Sequence, residues 1–444
     1  MSTQEIQQWL LEQLHSSQDI VYQKIQSKSN SSTILYVKSL CDEKMIQETL
    51  LNPFYENDEK EYDTYLDSLP NQKEEEKKEV ILKSLMRGSV ALFVKSKVCL
   101  IDVQQVYTNN IKESTVESVI QGPQYALTES IRTNINLIRS RYPQSSLIAK
   151  EMTIGRLSET KVTMMYDRNI AKQELIDDIE QDLAKVDLDT LQAAGQLSKK
   201  LTKKKRTLFP TMMITERPDR IAHNLAQGKV VVLVDGTPFS LIAPAVFYDF
   251  MSSMEDVYQP FWISRFILVL RYLGLFISLL LPAFYVGVTA FNPEFFRVQL
   301  ALSIAGSRMG VPYPAFLEVL LMLLMMELLT EASVRLPKTI GSTATTVGGL
   351  ILGQAAVEAG LVSNVMIIIV ASVAISNFVI PINTMMFAMR FMKYVILGLT
   401  VFFGMVGLII GVIGLIGYLS NLRSYGQPYL KLFLIPDSSK KEVG

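Results

Sequence analysis

Hydrophobic and polar positions along this chain follow two regimes. Up to about residue 260, short apolar runs alternate with amphipathic stretches. Strand-like runs at 34–37, 90–94 and 98–103, with a helix-like run at 42–51, predict a first small α/β subdomain over residues 1–125. A second set predicts another over 126–260. It comprises a helix at 128–141, strands at 146–153 and 160–166, a helix at 172–185, and a polar insertion at 196–206. The set closes with Pro218 near a helix start, Gly228 at its end, an apolar strand at 229–234 and the turn Asp235-Gly236-Thr237-Pro238.

From 261 to 420 the apolar runs lengthen to membrane-crossing size, which takes about 20 residues. Spans are predicted near 267–291, 314–336 and 391–418. The region 343–380 is too long for one straight span and is interrupted by Glu358, Gly360 and Asn364. It forms either two spans or one span and a re-entrant piece. Residues 421–444 form a polar tail. The expected fold is therefore an α/β N-terminal region of two small subdomains, followed by an α-helical multi-pass transmembrane domain.

Charge sharpens this division. Residues 262–422 hold 13 of the 86 charged side chains, so the two halves suit different solvents. The formal net charge of zero gives no global electrostatic case for nucleic acid as a partner. Cys41 and Cys99 are too few for a disulfide framework and fit a reducing compartment. Residues 1–14 form an amphipathic pattern without the basic and apolar regions of a secretory signal, which places the α/β region in the cytosol. Basic residues flanking the spans nearly tie and do not decide orientation. The cluster Lys203-Lys204-Lys205-Arg206 is a solvated loop or a headgroup contact.

No catalytic, cofactor-binding or metal-ligating residue is predicted. No second His or Cys stands at ligand spacing from His223, His15 and His223 both lie outside the spans, and the H-E-x-x-H pattern of a zinc protease is absent. The informative residues lie in the apolar half. Glu318, Glu327 and Glu331 stand in a run otherwise built of Leu, Met and Val, where a carboxylate is costly and must face protein or water. Glu327 and Glu331 share one helix face and Glu318 lies roughly opposite Glu327, so a single pore face cannot hold all three. Glu331 is placed to pair with Arg335 one turn on, and Glu327 is the first candidate for a water-filled cation path. Thr345 and Thr346, in a hydroxyl-rich small-residue stretch, and Glu358 are further candidates, against the alternative of close helix packing. Gly404, Gly407, Gly411, Gly414 and Gly417 form a stripe for helix packing or a hinge, and Pro282 is expected to kink the first span. Arg271 is expected to reach toward the headgroups.

Several stretches, in order, resemble one family. They are Gly155-Arg156-Leu157-Ser158-Glu159-Thr160-Lys161-Val162, Phe209-Pro210, Thr215-Glu216-Arg217-Pro218-Asp219, Val234-Asp235-Gly236-Thr237-Pro238, Ser253-Met254-Glu255-Asp256, Arg335-Leu336-Pro337 and Gly353-Gln354-Ala355-Ala356-Val357-Glu358-Ala359-Gly360. Between about Gln121 and Gln427 the chain resembles the A subunit of the spore nutrient-germinant receptors, the GerA family. That resemblance implies a place in the inner membrane of a dormant spore, beside a transporter-like B subunit, which mainly binds the nutrient, and a lipoprotein C subunit. It also implies a homo-oligomeric ring, thought to be pentameric, in contact with membrane lipids and conducting ions when the nutrient binds. The leading function is thus a nutrient-gated channel or gating subunit for monovalent cations. The alternatives are a secondary transporter, which ordinarily shows internal repeats and paired broken helices, or a signalling scaffold without its own pore.

Overall fold

The computed structural model describes residues 3–14, 17–27, 30–94, 97–105, 113–117, 119–202, 207–335 and 338–432, of which 334 and 338–346 are described by their backbone alone. The basic cluster at 203–206 lies outside the described residues. The chain divides into two compact units, one of 1–207, 211–245 and 424–426, the other of 208–210, 246–423 and 427–444.

The first unit contains two five-stranded antiparallel sheets. The first sheet uses β1 (Ile20–Gln26), β2 (Ser31–Val37), β3 (Gln72–Glu74), β4 (Ser89–Val94) and β5 (Lys97–Asp102), in the order β1-β2-β4-β5-β3. Its central strands β4 and β5 are continuous apolar runs because both faces are covered. Val90, Leu92, Cys99 and Ile101 enter one core with residues of the helical run 43–56 and of α2 (Glu59–Ser68). The alternate residues Ala91, Phe93, Val98 and Leu100 enter a second core. There α1 (Thr3–Leu14) brings Ile6, Leu10 and Leu14 along one helix face, and α3 (Lys78–Leu85) brings Ile81 and Leu85.

The second sheet uses β6 (Leu147–Ile154), β7 (Thr160–Asp167), β8 (Met213–Thr215), β9 (Val230–Val234) and β10 (Ser240–Ala243), in the order β6-β7-β9-β10-β8. Val230, Val232 and Val234 pack on Leu175, Ile179 and Leu183 of α5 (Gln173–Ala184) and on Leu197 and Leu201 of α6 (Ala194–Leu201). Helices α4 (Ile131–Arg141) and α7 (Pro218–Ala226) pack together and against β9. Numbered from its own first strand, each sheet runs 1-2-4-5-3, and the helices fall in the same gaps of both. The two subdomains share one topology.

A buried ionic contact joins them. Arg139 Nε on α4 donates to Asp19 Oδ2 at 2.7 Å, with the two side chains 2% and 7% exposed. Asp19 also accepts from Ser39 N at 3.0 Å and Ser39 Oγ at 2.5 Å. Asn136 Nδ2 donates to the Ser39 carbonyl at 2.8 Å.

The second unit is helical. It holds α8 (Phe261–Ala290), α9 (Val298–Ser307), α10 (Ala315–Arg335), α11 (Lys338–Glu358), α12 (Asn364–Asn377) and α13 (Asn383–Asn421). Among the described residues, two of these are long and apolar enough to cross a membrane: α8, of 30 residues with mean hydropathy 2.1, and α13, of 39 residues with mean hydropathy 2.6. Helix α8 packs against α10, α12 and α13, and continues as one helix through Pro282, which is buried. The interrupted third region forms α11 and α12, separated at 359–363 where Gly360 has φ +64°.

Two local expectations change. Arg271 does not reach outward: it is 7% exposed, donates to the Met251 carbonyl at 3.2 Å and pairs with Asp256. The Met251 carbonyl and Asp256 supply the partners that a buried guanidinium requires. Helix α13 is not one straight rod over 391–418, because Gly404 has φ 61° and ψ −145°, a conformation reserved for glycine. The chain bends back there, so a Cβ on Gly411 would touch Ile396 at 3.1 Å. In a straight helix those positions would stand about 22 Å apart.

Candidate functional site

The three carboxylates of α10 lie in the second unit, and each meets a cation. Glu318 is 1% exposed; its Oε1 accepts from Ser363 N at 2.7 Å and Ser363 Oγ at 2.6 Å, and its Oε2 lies 3.3 Å from Arg308 Nε. Ser363 also caps α12, accepting from Met366 N at 3.3 Å. Close by, a Cβ on Gly360 would stand 3.0 Å from the Gly310 carbonyl oxygen. Glu318 thus fastens two loops, as a buried carboxyl group with few alternative partners in apolar surroundings must.

Glu327 faces α13. Arg390 pairs with it through Nη2 to Oε2, and Arg390 Nε reaches Oε1 at 3.3 Å. Lys393 Nζ stands 3.5 Å from Oε1 and Tyr394 Oη donates to it at 3.1 Å. The Arg390 guanidinium lies 5.5 Å from the Phe387 ring centroid and the Lys393 ammonium 5.0 Å from that of Tyr394, so the aromatic faces share the cationic charge. Beside this cluster is a cavity of about 80 Å³ between α10, α12 and α13. Glu331 pairs with Arg335 Nη2 at 2.7 Å one helical turn on, both side chains exposed.

The other predicted residues lie elsewhere. Glu358 is exposed and accepts from Gln354 Nε2 at 3.2 Å. Thr345 and Thr346 have backbone in α11, and their side chains lie outside the described residues. The glycine stripe divides: added Cβ atoms on Gly404 and Gly407 would stand 2.9 Å from Phe291 Cγ and 2.0 Å from the Leu399 oxygen, whereas Gly414 and Gly417 meet nothing within 4 Å. The sequence pattern marks Arg390 and Lys393 only as flanking charge and Tyr394 not at all. Their i, i+3, i+4 spacing on one helix face is the signal that groups them.

In the first unit, the Thr215–Asp219 motif is a fastening. Glu216 Oε1 accepts from Ser114 Oγ and Val116 N, each at 2.6 Å. Arg217, 1% exposed, donates to the Glu117 carbonyl at 2.9 Å and the Pro123 carbonyl at 2.8 Å, and pairs with Asp219 at 2.7 Å. Burial pushes the Glu117 carboxyl up while Arg220, 2.9 Å away, opposes that shift. The motif secures the segment that joins the two subdomains.

An α/β half of two like subdomains joined in sequence to an apolar helical half with paired carboxylates defines a class, and its sequence relatives identify it. The family described as Bacillus/Clostridium GerA spore germination protein matches residues 8–442, and the chain belongs to that family. Spore germination protein KA of Bacillus subtilis (strain 168) is 36% identical over 438 residues, covering 96% of this chain and 80% of that one. Spore germination protein GerLA of Bacillus cereus is 35% identical over 351 residues, covering 79% and 71%. Among solved structures, the N-terminal domain of the A subunit of the Bacillus megaterium spore germinant receptor GerK3 matches at 29% identity with a TM-score of 0.42, covering 54% of this chain and 94% of that one.

Proposed function

We propose that this chain is the A subunit of a nutrient-gated spore germination receptor. Its α/β half lies in the cytosol and its helical half crosses the spore inner membrane several times. Copies assemble into a ring, pentameric by the family resemblance, that forms or gates a path for monovalent cations. The chain acts with a transporter-like B subunit, which holds the nutrient, and a lipoprotein C subunit.

Family membership over nearly the whole chain supports this role. The apolar exterior of the helical half supports the membrane placement: Trp262 and Phe402 are each 81% exposed, far more apolar surface than water tolerates in one region. The observation that carries the ion-path reading is the pairing of Glu327 with Arg390 and Lys393 in that half. In the resting state the two cations more than offset the Glu327 charge. Opening moves α13 from α10 and hands the carboxylate to water, where it draws cations. Nutrient binding on the partner subunit drives this by favouring the open arrangement.

The test is the receptor reconstituted in liposomes, followed by potassium efflux. Nutrient-dependent efflux down the potassium gradient, with no second ion required, is expected. Strict dependence on a second ion's gradient would indicate a transporter, and no efflux from correctly assembled receptor would indicate a scaffold.

A further inference from the structure

The cavity between α10, α12 and α13 presents donors in excess of acceptors. Its polar lining is Glu327, Thr330, Asn377, Arg390 and Lys393. One carboxylate faces two cations, a local net charge of +1 (+2 from Arg390 and Lys393, −1 from Glu327). Lys393 is the less satisfied cation. Its side chain is 2% exposed, and its acceptor, Glu327 Oε1 at 3.5 Å, already takes Tyr394 Oη at 3.1 Å and Arg390 Nε at 3.3 Å. The other carboxylates of α10 are engaged elsewhere, Glu318 with Ser363 and Arg308, and Glu331 with Arg335.

Among the described residues, the remaining polar groups of the lining offer no counter-charge. Thr330 Oγ1 donates to the Met326 carbonyl at 2.7 Å. Ser278 Oγ donates to Asn377 Oδ1, which leaves the Asn377 amide nitrogen as a donor. A buried ammonium held only by the Tyr394 ring face and one long, shared acceptor is costly in apolar surroundings, and an anion bringing its own acceptors would complete it.

Size and walls narrow the anion. The cavity measures about 80 Å³, room for roughly four to six non-hydrogen atoms. Val370, Val373 and Phe378 supply an apolar wall. A zwitterion would bring its ammonium beside two cations, and a lipid headgroup with its glycerol exceeds the space. We propose that this cavity is a binding site for a small aliphatic monocarboxylate, its carboxylate on Lys393, Arg390 and Asn377 and its short chain on the apolar wall. Occupancy gives Lys393 its own counter-ion, while Arg390 bridges the bound carboxylate and Glu327.

The experiment uses the full-length chain in nanodiscs of phosphatidylcholine, titrated with sodium propionate, propionamide or sodium chloride at equal ionic strength. Propionate is expected to bind by calorimetry and to raise the unfolding temperature with concentration, while propionamide, nearly its shape but uncharged, does neither. Lys393→Met should weaken propionate binding about tenfold or more, and Asn377→Asp, which sets a carboxylate in the cavity, should abolish it with helix content retained. Equal responses to propionate and propionamide would overturn the proposal, as would undiminished binding in folded Lys393→Met. Should Lys393→Met not fold, undiminished binding in Asn377→Asp overturns it instead. A tenfold loss of propionate affinity in phosphatidylglycerol nanodiscs would assign the site to a lipid phosphate and likewise overturn it. The readout is binding, so its failure leaves the ion-path reading standing.

Discussion

Glu327 takes donors from Arg390, Lys393 and Tyr394, side chains within five positions of one another on α13 but more than 60 residues away in sequence. Such distance explains why the carboxylate was legible and its partners were not: hydropathy marks a charge inside an apolar run, and nothing local says which distant cation meets it. Glu331 with Arg335 was legible because both lie one turn apart on one helix. Asp19 and Arg139 form a distant pair of the same kind in the α/β half. Asp19→Ala strands a guanidinium that is 2% exposed, so that half should lose about 3–5 kcal/mol of stability, measured by urea unfolding against the parent chain. Cys41 makes a further residue-scale prediction. Burial pushes its thiol up to about 12, so at pH 8 the thiolate is scarce and a maleimide should label Cys41 only after unfolding, with labelling followed by mass spectrometry.

Among the elements, α13 shows where a sequence pattern has two readings. Glycines spaced by three and four suit a packing stripe, and the same spacing holds a bend once one of them takes a positive φ; only backbone geometry separates the cases. Gly404 is the bend and Gly407 and Gly411 the close approach, while Gly414 and Gly417 face open space. Gly404→Ala should therefore cost about 1–3 kcal/mol. Gly407→Ala should also destabilise, because the Leu399 carbonyl stands in its way. Gly414→Ala should be neutral or stabilising by up to about 1 kcal/mol. Thermal unfolding of the three variants in one detergent checks the order. The strands were easier to read: the apolar runs over 90–94 and 98–103 became β4 and β5, with alternate residues in two cores. The shared 1-2-4-5-3 order of the two sheets was hidden, because topology is set by long-range pairing that apolar periodicity does not encode.

For the whole molecule, the α/β half and the helical half bury charge by the same rule. Arg139 with Asp19, Arg217 with Asp219, and Glu327 with Arg390 are all buried or half-buried and carry their counter-charge with them. Asp19 with Arg139 fastens distant segments of the α/β half, and Asp219 steadies the Arg217 side chain that holds the Glu117 and Pro123 carbonyls. In the third, the pair joins helices of an apolar half whose proposed role requires them to separate, and the excess cation beside it makes that contact the least balanced of the three. The central claim is that freeing Glu327 supplies the cation-attracting charge of an open path. Potassium efflux from liposomes carrying the assembled receptor tests it most directly, comparing Glu327→Gln, the parent and Arg390→Gln, whose local charges are +2, +1 and 0 by counting Glu327, Arg390 and Lys393. Efflux is expected to rise in that order, by roughly tenfold per unit charge for a partly buried site. Both variants shifting efflux in the same direction, or neither changing it, would contradict the claim.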